Sequence, residues 1–68
     1  MSWNPIKLSQ QVKEGSHVRT KIMGVHHEYI IQSIGYKRNW IKLKHVATRK
    51  ISNMSIVKMI YDVYEIDE

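Results

Sequence analysis

In residues 40–46, Trp40-Ile41-Lys42-Leu43-Lys44-His45-Val46, apolar and charged side chains alternate with a period of two. A strand sends successive side chains to opposite faces, so Ile41, Leu43 and His45 share one face, and Trp40, Lys42, Lys44 and Val46 share the other. This is the signature of a half-buried strand. Val18-Arg19-Thr20-Lys21-Ile22 repeats it, with Val18, Thr20 and Ile22 toward a core and Arg19 and Lys21 outward. Between the two, Gly24 closes the earlier strand and Val25-His26-His27 reads as a loop. Glu28-Tyr29-Ile30-Ile31-Gln32-Ser33-Ile34 follows as a strand, because tyrosine and branched residues dominate it. Gly35-Tyr36-Lys37-Arg38-Asn39 is a polar turn in which Gly35 is free to take a positive φ.

Working outward toward the C-terminus, Thr48-Arg49-Lys50 turns the chain into a short fourth strand around Ile51-Ser52-Asn53-Met54. Ser55 suits a helix N-cap, since its hydroxyl can accept from an amide one turn on. Ile56 to Tyr61 then forms a single helical turn burying Ile56, Met59 and Ile60, and Val63-Tyr64-Glu65-Ile66 is the last strand. One longer helix over residues 49–62 is the competing arrangement, disfavoured by the serines and asparagine in it. Toward the N-terminus, Asn4-Pro5 marks an extended arm over residues 1–7, in which Trp3 is an anchor folded back onto the body or else an exposed stacking ring, and Ser9 to Glu14 makes at most a short turn. The chain thus divides into an N-terminal arm and turn, 1–14, and a domain, 15–68. Five short strands, each with one apolar face, are expected to close into a small barrel or a pair of packed sheets, because closure removes exposed edges.

Sixty-eight residues make one small domain whose core contributes a net of only roughly 3–5 kcal/mol. There is no cysteine, so neither disulfides nor thiolate metal sites hold the chain together. The charges are segregated. Residues 1–58 carry all 11 Lys and Arg against Glu14 and Glu28, a net +9, whereas residues 59–68 carry Asp62, Glu65, Asp67 and Glu68 and no base, a net −4. So basic a body attracts polyanions, which makes nucleic acid, DNA or RNA, the first partner to consider.

The order of elements resembles the SH3-like small barrels, the group that includes KOW and Tudor domains, on the strength of the one-turn helix before the last strand. Gly15-Ser16-His17-Val18-Arg19-Thr20-Lys21-Ile22 looks like a KOW opening, and Gly24 with Tyr29 to Ile34 is similar to its second half. The lysine-glycine pair usual in that motif's loop is replaced here by Val25-His26-His27-Glu28. The resemblance covers residues 15–66. It implies a mainly β, five-stranded SH3-like barrel with a one-turn helix before the last strand, acting by binding. The Ile/Lys/Asn/Met-rich wording also looks like that of short phage-encoded proteins that act on host machinery.

The residues expected to meet nucleic acid are Arg19, Lys21, Tyr36, Lys37, Arg38, Trp40, Lys42, Lys44, Arg49 and Lys50, in which cations to neutralise phosphates are interleaved with rings on which bases stack. The alternative is an inhibitor or adaptor docking on a host protein through exposed Trp3 and Tyr64 or a strand edge. His26 and His27 are neighbours, so their rings point to opposite sides of an extended chain and do not share a metal, although His17 and His45 can approach one of them in space. No metal or other cofactor is expected. No nucleophile elbow or phosphate-binding loop is present, and the expectation is a non-enzyme. No apolar run reaches the roughly 20 residues of a membrane span, no targeting signal is visible, and a cytoplasmic setting is expected.

Overall fold

A computed structural model describes residues 2–35 and 39–68. The chain is mainly β. Its strands are β1 (Trp3–Pro5), β2 (His17–Ile22), β3 (Val25–Ile34), β4 (Trp40–His45), β5 (Ile51–Ser55) and β6 (Glu65–Asp67), with one helix, α1 (Ile56–Tyr61), and a 3₁₀ turn at Ser9–Gln11. All six strands belong to one antiparallel sheet in the order β1-β6-β2-β3-β4-β5. The helical turn falls directly before the last strand, as expected, and no helix runs through residues 49–62.

Two expectations about closure and strand number are corrected. The sheet is open, with β1 and β5 at its edges, and it has six strands. The sixth is the arm itself: Trp3, Asn4 and Pro5 pair with Asp67, Ile66 and Glu65. Proline lacks an amide to donate, so an edge is where it belongs. The sheet stays open because β1 pairs with β6 and β5 with β4 but no ladder joins these two edges; α1, which follows β5 directly, packs against β5 and the 3₁₀ turn. There Ile56 and Met59 fill the interior beside Val18, Ile31, Ile41, Leu43 and Ile66, and Ile6 and Val12 join the same core from the segment before Gly15.

Local chemistry explains the connections. Met23 and Gly24 both have positive φ, 50° and 82°, which is a two-residue primed turn whose twist matches the flanking strands. Val25 therefore pairs with Ile22, and Val25 to His27 lie within β3 where a loop was expected. β2 pairs with β6 only at Val18 and Arg19, and β3 pairs with β4 from Tyr29 onward. Residues 20–27 thus form a two-stranded ribbon reaching past both neighbours, tipped by Met23, which is 97% exposed. Farther along β3, the register shifts between Ile31 and Ser33. The extra residue, Gln32, lets Ile34 take the inward place opposite Ile41 that strict alternation assigns to Ser33.

Ser55 caps α1 as expected, its Oγ accepting from the Lys58 amide at 3.0 Å. The far end closes with the Val63 amide on the Ile60 carbonyl and the Tyr64 amide on the Met59 carbonyl, with Val63 left-handed at φ 57°. That is the helix stop glycine usually provides. It removes Val63 and Tyr64 from the expected last strand, which begins instead at Glu65. Gly35 does not use a positive φ; a Cβ there would lie 3.1 Å from the Trp40 carbonyl oxygen, a tight approach that a side chain could make only if the β4 backbone gave by a few tenths of an ångström. Among the described residues no helix is long and apolar enough to cross a membrane.

Candidate functional site

The alternation of β4 buries Ile41 and Leu43 and leaves Trp40, Lys42 and Lys44 in line on the outer face. Alternate residues of a strand are about 6.7 Å apart, so the three form a straight row. Trp40, 59% exposed, is in register with Ser55; Lys42 lies between Ser33 and Asn53; Lys44 lies between Ile30 and Ile51. None of these eight positions is acidic. Neither lysine takes part in an ion pair among the described residues, whose two ion pairs are Arg19 with Glu65 and Lys58 with Asp62.

The other expected contact residues scatter. Arg19 and Lys21 form no continuous ladder with Lys42 and Lys44, because β3 intervenes and sets Glu28 beside Arg19 and His26 beside Lys21. Arg19 is engaged twice: its Nε donates to Glu65 Oε1 at 2.8 Å, and its Cζ lies 4.4 Å from the centroid of the Trp3 ring. Trp3 is accordingly half-buried, anchoring β1 as expected. Arg49 and Lys50 sit at the β4–β5 turn, where the His45 amide donates to the Lys50 carbonyl and the Arg49 amide to the His45 carbonyl. Tyr36, Lys37 and Arg38 lie outside the described residues.

Tyr64, expected as an exposed anchor, is corrected: it is 8% exposed and belongs to the core, because the helix stop at Val63 turns it inward against Tyr29. Burial, then the nearby Tyr29 and Asp62, push its hydroxyl above the usual tyrosine range.

The histidines do meet. His26 is in register with Lys21 and His27 with Thr20, on opposite faces, and His27 Nδ1 is 3.1 Å from His45 Nε2. His45 Nδ1 accepts from the Ala47 and Thr48 amides at 3.1 and 3.2 Å. In the neutral ring the His45 proton is therefore on Nε2, which donates to His27 Nδ1. A nitrogen carrying a proton offers no lone pair to a metal, and among the described residues no three His, Cys, Asp or Glu side chains cluster as ligands. The Tyr29 ring meets His45 edge-on, 5.0 Å between centroids. On the far side of the sheet, His17 Nε2 and Asp67 Oδ1 are buried with no hydrogen-bond partner among the described residues.

Sequence reasoning missed one feature beside the row. A cleft of about 280 Å³ opens at the Lys44 end, lined by Ile30, Lys44, His45, Val46 and Arg49. Its only trace in the sequence is the pair of cations Lys44 and Arg49 on either side of a turn. Compared with known proteins, the chain matches no family model, no curated protein and no solved structure.

Proposed function

We propose that this small antiparallel β protein is a non-enzymatic binding module that holds single-stranded nucleic acid along the outer face of β4. The observation carrying this is the acid-free row Trp40, Lys42, Lys44, with Ser33, Asn53 and Ser55 beside it. Trp40 stacks on a base, an interaction of about 1–3 kcal/mol. Lys42 and Lys44 neutralise successive phosphates, and the small polar side chains leave room for the backbone and hydrogen-bond to it. The position of α1 directly before the last strand supports the SH3-like reading, in a form opened between β5 and β1.

Titration with a mixed-sequence oligonucleotide, followed by anisotropy of a label on the oligonucleotide, tests this. Each lysine that neutralises a phosphate adds about −0.7 to the slope of log K against log salt for a single strand. Lys42→Gln and Lys44→Gln each flatten the slope by that amount, and Trp40→Ala weakens binding about tenfold at every salt concentration. Absence of binding in about 50 mM salt, or binding indifferent to salt, overturns the proposal.

The exposed ribbon tip, with Ile22, Met23 and Val25 in solvent, favours a second reading, docking on another protein. A stoichiometric protein partner that survives nuclease treatment and is lost in Met23→Asp supports that reading over the first.

A further inference from the structure

We infer that the cleft between β3 and the β4–β5 turn seats a phosphomonoester dianion, the terminal phosphate of the nucleic acid that lies along β4; only the identity of the molecule carrying the phosphate rests on the reading above. Lys44 and Arg49 both line the cleft, and no ion pair neutralises either among the described residues. Two cations lining one cleft, with no carboxylate paired to either, favour an anion there. The rest of the lining is Ile30, Val46 and His45, the first two apolar. Walls of low dielectric focus the field of the two charges on whatever occupies the space.

Charge count selects the class of anion. An internal phosphodiester carries a single negative charge, whereas a phosphomonoester carries about −1.5 to −2 at neutral pH and three strong acceptor oxygens. Two cations, one of them a guanidinium able to donate two parallel hydrogen bonds, match the second. The acid nearest in register is Glu28, whose carbonyl accepts from the Val46 amide at 2.9 Å, and its carboxylate makes no ion pair with Lys44 or Arg49. Topology agrees, because β4 ends at His45 and the turn of residues 46–49 stands at the end of the row. A strand following Trp40, Lys42 and Lys44 runs into that turn and terminates there.

The turn is built to hold its cation in place. Arg49 has φ 63°, a conformation arginine adopts at a cost, and the His45 carbonyl fixes its amide at 2.8 Å. The Ala47 and Thr48 amides are tied to His45 Nδ1, and His45 is braced in turn by His27. His45 is thus a positioning residue for Arg49: its ring nitrogens are taken by the turn amides and by His27, so it lines the cleft without donating to the anion.

The test compares one oligonucleotide sequence bearing a 5′-phosphate, a 3′-phosphate or hydroxyls at both ends, with inorganic phosphate alone followed by NMR of the Lys44 and Arg49 resonances. The variant is Arg49→Gly, which removes the cation at a positive φ that glycine accepts without strain, so it folds at least as well as the parent. One phosphorylated end binding about tenfold tighter than the hydroxyl form, with the preference lost in Arg49→Gly, supports the inference. Equal affinity of all three oligonucleotides overturns it and leaves the nucleic-acid reading intact. If no oligonucleotide binds but inorganic phosphate shifts both resonances, the cleft is a site for free phosphate and the nucleic-acid reading falls. Silence in both experiments overturns both.

Discussion

Arg19 lies against the face of the Trp3 ring, its Cζ 4.4 Å from the centroid, while its Nε holds Glu65 at 2.8 Å. One side chain thereby joins β1, β6 and β2, which is why the only exposed-looking arginine of the first long strand is a structural residue. Replacing it with a neutral side chain of similar length, Arg19→Met, should cost about 1–2 kcal/mol in urea unfolding, from a partly buried cation–π contact and a partly exposed ion pair. Oligonucleotide affinity should change less than twofold. A loss of affinity matching that of Lys42→Gln would place Arg19 in the binding surface.

The left-handed Val63 ends α1 where glycine is usual, and its side chain is 63% exposed, so it recovers little by packing. A branched residue in this conformation costs about 1–2 kcal/mol, and glycine loses about 0.5–1 kcal/mol through the greater freedom of the unfolded chain. Val63→Gly should therefore stabilise the fold by about 0.5–1 kcal/mol and raise Tm by about 2–8 °C in a domain of this size. A lower Tm would mean that the valine packs in a way its exposure conceals.

His45 Nδ1 receives two amides of the β4–β5 turn. Multinuclear NMR should find the proton of the neutral His45 ring on Nε2, and a proton on Nδ1 would refute the arrangement. His45→Ala should destabilise by about 1 kcal/mol and speed hydrogen exchange at Ala47 and Thr48. His45→Asn, which restores an acceptor near the Nδ1 position, should recover part of the protection.

Tyr64 predicts an alkaline limit to stability. Its hydroxyl titrates higher in the folded chain than its unfolded value of about 10, chiefly through burial, with Tyr29 and Asp62 adding to it. Between those two values the unfolded chain has released the proton and the folded chain has kept it, so stability is fully present below about pH 10 and falls as pH rises toward the folded value. Urea melts across pH 9–11 should show this decline, and it should be shallower in Tyr64→Phe. An unchanged slope in that variant assigns the decline to other groups.

What could be read in the sequence was whatever one short segment determines by itself. The period of two in β4 placed Ile41 and Leu43 inside and Trp40, Lys42 and Lys44 outside, and the Ser55 hydroxyl announced α1. Features that depend on remote segments were hidden. Trp3-Asn4-Pro5 has no strand periodicity and becomes a strand only because β6 offers it an edge. The bulge at Gln32 reconciles Ile31 and Ile34 with one face, a conflict visible in the sequence only once the partner strand is known. Tyr64 was misplaced because a left-handed valine is not an expected helix stop, and the cleft because Ile30 and Arg49 meet only across the sheet.

Strand order also sets where the two signs of charge come to rest. Glu65 and Asp67 ride on β6, three strand spacings of about 4.8 Å from the β4 lysines, so the sheet is polarised across its width by roughly 14 Å. In the field of a polyanion such a body feels a torque as well as a pull. It arrives already rotated, lysines leading and carboxylates trailing, which shortens the orientational search that otherwise slows the docking of one particular face.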